Sequence, residues 1–497
     1  MEYMSNSILV IFLICEIMLL VDTIRIFQLN NYKLIFNTKS LYFALTFLLT
    51  ALPYIISFVL KLEFIFAEII LIGLWSIYLI IQNIFKRQKI VFTNRAIRLI
   101  ALSIILLVSI SVIVYKFARG ALFINVIVIP FLIVISNYIN SPIEKCINHR
   151  FIKKAKQSLC LKNPLVIGIT GSYGKTSVKN ILTQLLSIKY KVLMTPKSYN
   201  TLMGVCLSIN ALLDQEIFIV EMGARRRDDI SKICEFVHPK IGVVTGLAKQ
   251  HLKTFKNIEN IYLAKKELQQ SDCIEAMFYN DSNNYLNKMK NEFHNSIGII
   301  DMEYKLLGFD GEYQEFQFLL NNNTYTAKTK LIGVHNIENL LLCIKIATYL
   351  NVDIVDIIEK IKTIESISNR CEVKHLDNNI TLIDDSYNAN IDGCISMLDF
   401  LNKFSGRKVV FAQGIVELGK DQYIENKTLG NKMAQIIDIA ILLGVNKKAI
   451  QEGLIEKGFD KDKIICLRSF NEINKTFKNI LKEGDVVLIQ NDLTDNY

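Results

Sequence analysis

Residues 164–188 read PLVIGITGSYGKTSVKNILTQLLSI. Leu165 to Thr170 is an apolar, β-branched run of the kind that forms a buried strand. Gly171-Ser172-Tyr173-Gly174 then makes a turn bracketed by glycines. Lys175-Thr176-Ser177 opens a segment whose apolar residues, Val178, Ile181, Leu182, Leu185 and Leu186, recur at helical spacing. Strand, loop and helix in this order make an anion cradle. The glycines let backbone N–H groups converge, the helix start adds the positive end of its dipole, Lys175 can neutralise β/γ-phosphates, and the Thr176 hydroxyl can reach a magnesium ion. ATP is the ligand this chemistry suits. The general phosphate-loop pattern would place a further glycine at position 169, where this chain has Ile169.

Outward from this stretch the composition divides the chain. Of its 497 residues 51% are hydrophobic, and the mean hydropathy is +0.30. The excess lies at the front, where about five apolar stretches approach the length a bilayer needs, at residues 7–26, 41–60, 65–84, 97–115 and 121–139. Arg25, Lys33 and Lys39 follow the first, and Lys86, Arg87, Lys89, Arg95 and Arg98 lie between the third and fourth. Positive-inside reasoning puts the N-terminus outside and everything after Tyr138 in the cytoplasm, with ATP. Glu16, Asp22 and Glu68 read as interfacial side chains near span ends in preference to polar contacts between helices or with a lipid head group. Residues 141–160, with Arg150, Lys153, Lys154 and Lys156, read as a basic amphipathic helix against an anionic lipid surface.

The net charge of +10 could also serve nucleic acid, but no aromatic-basic interleaving or recognition helix accompanies it. The ten cysteines are scattered without a CxxC pair, as expected of thiols in a reducing compartment.

Beyond residue 164, short apolar strands alternate with helical segments, the pattern of a parallel sheet covered on both faces. Strand-like runs occur at 217–220, 241–245, 382–384, 409–412, 439–443 and 486–490. Ligands in such sheets gather at the carboxyl ends of strands, which directs attention to Glu221 and His251. A carboxylate and an imidazole brought to the end of the sheet that carries the GKT loop suit magnesium held against ATP phosphates.

Nine short motifs extend this pattern in order: TGSYGKTS (170–177), SYNTLMGV (198–205), VEMGA (220–224), HL (251–252), LAKKEL (263–268), GVHNIEN (333–339), NRCE (369–372), DDSYNAN (384–390) and ELG (417–419). In this series the chain resembles the Mur ligases, most of all the branch that adds D-alanyl-D-alanine to a UDP-muramoyl-tripeptide of peptidoglycan. The resemblance covers about the last two thirds of the sequence. Composition and charge predict a multi-span α-helical membrane domain (1–140) and a basic juxtamembrane helix (141–160), and the resemblance implies α/β structure after them. That α/β part would be a central P-loop-like ATPase domain (161–366) and a C-terminal Rossmann-like domain (367–497).

The resemblance also implies roles. Gly171, Ser172, Tyr173, Gly174, Lys175, Thr176 and Ser177 would hold ATP, with Asn336 on adenine, Arg370 on the phosphates and Asp385 at the nucleotide. Thr176, Glu221 and His251 would serve magnesium, together with a carbamylated lysine at Lys265 or, as the lesser choice, Lys266. Asn200, Thr201 and Asn388 would face the substrates. Lys175, Lys265, His251 and Arg370 are then the expected catalytic residues. The expected reaction is ATP-dependent amide bond formation through an acyl phosphate, in cell-wall biogenesis.

Three departures qualify the substrate. About five spans stand where those ligases carry a UDP-gripping domain, Ile391 replaces a proline after DDSYNAN, and IQNDLTDNY (489–497) stands where they carry a basic glycine-containing segment; in the phosphate motif, Asn369 replaces the glycine before Arg370. A membrane-associated or lipid-linked carboxylate and an amine are the expected partners. The alternatives are dipeptide addition to the UDP-peptide, poly-γ-glutamate synthesis, and a non-catalytic membrane scaffold.

Overall fold

The computed structural model describes residues 2–29, 32, 90–117, 124–365, 371–386 and 390–491. The second and third apolar stretches, Glu68, Arg370 and Asn388 lie outside the described residues. The chain divides into two compact units, residues 1–151 and 152–497.

In the first unit most of the described residues are helical, in Glu2–Leu29, Asn94–Phe117 and the first part of Ile124–Lys162. Leu20, Ile24, Leu99, Leu107, Ile129 and Ile133 form its apolar centre. Arg98 meets Glu144 through two hydrogen bonds of 2.7 and 2.9 Å, the bidentate geometry that a guanidinium fork favours. Two expectations change here. Glu16 is not interfacial: it is 2% exposed and accepts from Asn125 at 3.4 Å. The fifth apolar stretch and the basic segment are not separate elements but parts of one 39-residue helix that contains Pro130 and Pro142. Proline removes one helical hydrogen bond, yet the helix continues through Pro142.

In the second unit, β1 (Leu165–Thr170), β2 (Val192–Met194), β3 (Ile217–Glu221), β4 (Ile241–Val244), β5 (Ala276–Tyr279) and β6 (Ser296–Ile297) form a parallel sheet in the order β2-β3-β1-β4-β5-β6. β1 carries the glycine loop and lies between β3 and β4, with Ile169 opposite Glu221 and Thr170 opposite Val244. The helix Lys175–Leu186 buries Val178, Ile181, Leu182, Leu185 and Leu186 on one face of this sheet, with the helix Val334–Tyr349. The other face is covered by helices including Asp229–Val237 and Ile258–Lys266; Ala155 and Leu159 join this core.

β7 (Tyr304–Phe309), β8 (Gln314–Leu320) and β9 (Asn323–Thr329) form a small antiparallel sheet. β8 alternates buried and half-exposed residues, burying Phe316, Phe318 and Leu320 in the first core.

β10 (Glu372–Leu376), β11 (Ile380–Asp385), β12 (Lys408–Ala412), β13 (Ile439–Leu442), β14 (Ile464–Cys466) and β15 (Val486–Gln490) form a second sheet in the order β10-β11-β15-β12-β13-β14. All its neighbours are parallel except β10 and β11, and apolar clusters cover both faces. The six strand-like runs of the sequence are all strands, with ends shifted by at most two residues.

Candidate active site

The glycine loop has the backbone its sequence requires. Gly171 has φ +151° and Gly174 φ +78°, conformations that a side chain disfavours. A β-carbon on Gly171 would lie 2.2 Å from Thr245 Oγ1. Ser172 donates from its N–H to the Gly246 carbonyl at 2.7 Å and from Oγ to the Ala248 carbonyl at 3.2 Å. The Tyr173 ring lies over Gly246, and its hydroxyl accepts from Asn283 at 3.4 Å. Lys175 Nζ donates to the carbonyls of Gly171 and Ser172 at 2.7 and 3.0 Å, which holds its charge over the loop. Ser177 sits in the first helical turn and is partly exposed.

Thr176 Oγ1 donates to Glu221 Oε2 at 3.1 Å, joining the helix start to the carboxyl end of β3. Asn200 donates to the other carboxylate oxygen of Glu221 at 3.4 Å, and its carbonyl accepts from Gly223 at 2.8 Å. Asn200 therefore stands at the site. Thr201 caps the helix Leu202–Ile209 by accepting from the Gly204 N–H, which gives that hydroxyl a structural use.

A residue to which the sequence reading gave no role completes this cluster. Lys179 is 1% exposed, lies 2.9 Å from Glu221 Oε2, and donates to the Lys197 carbonyl at 2.5 Å. Its signal was legible: position 179 falls on the stripe shared with Leu182 and Leu186, where a lone cation among apolar side chains needs a partner. Burial pushes the Glu221 carboxyl pKa up. The Lys179 and Lys175 charges, with hydrogen bonds from Lys179 and Thr176, outweigh that and hold it below the usual carboxylate value.

Lys265 closes the helix Ile258–Lys266 and is 4% exposed. Burial first, and the Lys175 charge second, pull its pKa down to about 7, against smaller opposing effects of Glu267 and Asp229. Lys266 is instead ion-paired with Glu292, so Lys265 is the lysine whose amine is available as a neutral nucleophile.

His251 has φ +50° and pairs through Nδ1 with Glu417 Oε2, at the start of the ELG motif. Asn336 is 6% exposed and donates to the Ile332 carbonyl at 2.8 Å, near the start of the helix Val334–Tyr349. Asp385 ends β11 and accepts from Cys371 Sγ at 3.4 Å.

Among the described residues no three His, Cys, Asp or Glu side chains converge as a metal-binding group. A magnesium ion does not require one: it is a hard cation commonly held by one or two carboxylates together with substrate phosphates and water. The oxygen pair of Thr176 and Glu221 beside the GKT loop fits that donor set.

Two family descriptions match the chain: "Mur ligase middle domain" over residues 169–347 and "Mur ligase, glutamate ligase domain" over residues 369–490. The UDP-N-acetylmuramoyl-tripeptide--D-alanyl-D-alanine ligase of Buchnera aphidicola subsp. Baizongia pistaciae is 28% identical over 286 residues, covering 54% of this chain and 60% of that protein. The ligase of the same name from Bacillus subtilis is 24% identical, covering 65% of this chain and 72% of that protein. The chain thus spans less than two thirds of the length of the first of these relatives. Among solved structures, the MurF ligase of Thermotoga maritima in complex with ADP superposes with a TM-score of 0.61 at 25% identity, over 69% of this chain and 80% of that one. Together the two family matches account for more than half of the chain, and with the doubly covered sheets and the GKT-centred site they establish that the protein belongs to the Mur ligase family, whose members are ATP-dependent ligases.

Proposed function

We propose that this protein is a membrane-anchored amide ligase of the bacterial cell envelope, which uses ATP to join a carboxylate on a membrane-associated or lipid-linked precursor to an amine. The observation that carries the reading is the convergence of Thr176, Lys179 and Asn200 on the buried Glu221 carboxylate beside the GKT loop.

In the proposed reaction a substrate carboxylate oxygen attacks the γ-phosphorus of ATP, giving an acyl phosphate and ADP. The amine nitrogen then attacks the acyl carbon, loses a proton, and phosphate leaves. No protein nucleophile is needed; positioning and charge neutralisation do the catalysis. Lys175 neutralises phosphate charge over the glycine loop. Thr176, Glu221 and His251 would hold Mg2+, which supplies electrostatic stabilisation of the transferring phosphoryl group. Lys265, with its amine near half-neutral at pH 7, is suited to carbamylation by CO2, which turns a cation into a carboxylate-like group. Asn200 faces the substrate, while Asn336, Arg370, Asp385 and Asn388 complete the nucleotide and acceptor sides, as the family resemblance implies.

Anchoring through several spans, with the N-terminus outside and the α/β part cytoplasmic, is supported by the apolar stretches and their flanking charges. Among the described residues one helix is long and apolar enough to cross a membrane by length and composition: it spans residues 94–116 and contains an 18-residue window with mean hydropathy 2.8 that is 17% buried. Ile97, Ile105, Val112 and Ile113 on it are each about half exposed or more. A second reading, addition of D-alanyl-D-alanine to a UDP-muramoyl-peptide, is favoured by the names of the relatives.

The test is ADP and phosphate release by the detergent-purified full chain and its Lys175→Ala variant. Turnover with membrane lipid extract and candidate amines, lost in the variant, is expected. Turnover only with UDP-muramoyl-tripeptide and D-alanyl-D-alanine would establish the second reading, and turnover with glutamate alone would establish a polyglutamate synthetase. ATP binding without turnover under every condition would refute the enzyme reading.

A further inference from the structure

The loop that carries His251 leaves the carboxyl end of β4 and is tied on two sides. On one side it is bonded to the glycine loop, through the Ser172 contacts with Gly246 and Ala248 and a hydrogen bond from Thr245 Oγ1 to the Tyr173 carbonyl. On the other it is bonded to the segment following β12. The Leu252 N–H donates to the Glu417 carbonyl at 3.0 Å, and Lys249 Nζ lies 3.1 Å from Asp421 and 2.9 Å from Glu425. Glu417 also places a carboxylate oxygen on His251 Nδ1.

Two independent features mark this last contact. An ionised carboxylate can only accept a hydrogen bond, so the shared proton belongs to Nδ1, and the lone pair of a neutral imidazole is left on Nε2. Both residues also hold left-handed backbone, His251 at φ +50° and Glu417 at φ +62°. Residues with a β-carbon populate that region sparsely, and they stay there only where surroundings over-determine them.

We propose that Glu417 is a positioning residue of the ligase: reaching from the C-terminal half, it fixes the orientation and tautomer of His251, so that Nε2 is presented to the nucleotide and its metal only while the two halves are docked. The inference rests on the ligase reading above. It gives the ELG motif a task and makes the docking of the C-terminal half a condition for a complete site in the central half. Outer carboxylates that orient a metal-binding histidine affect metal affinity or rate by roughly 10–100-fold.

The test uses the full chain in detergent with E417A, E417Q, H251A and the E417A/H251A double variant. The Mg2+ concentration needed for a non-hydrolysable ATP analogue to raise the melting temperature is measured beside kcat and KM for ATP. E417A is expected to need about ten-fold more Mg2+ and to lose roughly 10–100-fold in kcat, with KM for ATP within about two-fold. E417Q, whose amide oxygen still accepts from Nδ1, should recover most of both. The double variant should be no worse than H251A, since coupled residues are non-additive. Wild-type behaviour of E417A, or a full additional loss in the double variant, would overturn the proposal. Should E417A fail to fold, E417N, which shortens the reach, carries the same comparison. If wild type shows no turnover, the ligase reading falls, while the Mg2+ dependence of the melting shift still decides whether Glu417 acts through His251.

Discussion

Replacing Lys179 with methionine should unfold the α/β part more readily than almost any other single change near the site. Lys179 and Glu221 are 1% and 2% exposed and lie 2.9 Å apart, so solvent screens them little. At an effective dielectric constant of about 20, two unit charges at that 2.9 Å separation attract by roughly 6 kcal/mol. Methionine keeps the volume but leaves a carboxylate buried without its main counter-charge, which costs about 3–5 kcal/mol.

Denaturant unfolding of the full chain in detergent with EDTA, followed by far-UV circular dichroism, reads this loss. Glu221→Gln alone should also destabilise, while the double variant should lose much less than the sum of the two. The pH dependence gives a second check. In wild type the Glu221 pKa is lowered, so its stabilisation is present above the unfolded value of about 4.3 and is lost as pH falls through the folded value. In Lys179→Met, burial is the largest remaining influence and raises the pKa, so the variant's deficit should shrink as pH falls from about 7 towards 5. A Lys179→Met protein with wild-type stability at pH 7, or a double variant that loses the full sum, would refute the reasoning.

Two further outcomes follow from the site. Lys265 is depressed to about 7, so the unfolded chain binds the extra proton between about pH 7 and 10.4; wild-type stability should rise across that window and the rise should flatten in Lys265→Met, as melting curves at several pH values would show. Gly171→Ala places a β-carbon 2.2 Å from Thr245 Oγ1 at a backbone angle alanine disfavours, so affinity for an ATP analogue should fall by at least about ten-fold in a calorimetric titration; unchanged affinity would mean the loop moves freely.

The glycine loop and the elements that flank it were legible because their signals are local. A β-branched run, two glycines and a helical stripe fix β1, the loop and the following helix within 22 residues, from Leu165 to Leu186. Glu221 was legible because it ends an apolar run. The pairing of His251 with Glu417 was not, since nothing local ties positions 166 residues apart. The two-residue strand β6 and the antiparallel β7–β9 sheet were missed for different reasons. β6 is too short to show a period, whereas β8 alternates cleanly but was not separated from its surroundings. The fifth apolar stretch and the basic segment were read as separate elements because composition changes at residue 140, and a change of composition does not end a helix.

The position of β15 bears on how the protein is made. Residues 486–490 lie between β11 and β12 at the centre of the second sheet, yet they leave the ribosome after every other strand of it. β11 and β12 are synthesised some 74 or more residues earlier and have no direct pairing with each other to fall back on. The nascent chain must therefore hold two half-sheets with open inner edges until the last strand arrives. Such edges are places where chains associate wrongly, so slow or interrupted translation across residues 412–486 is where a cell would lose this protein to chaperones and proteases.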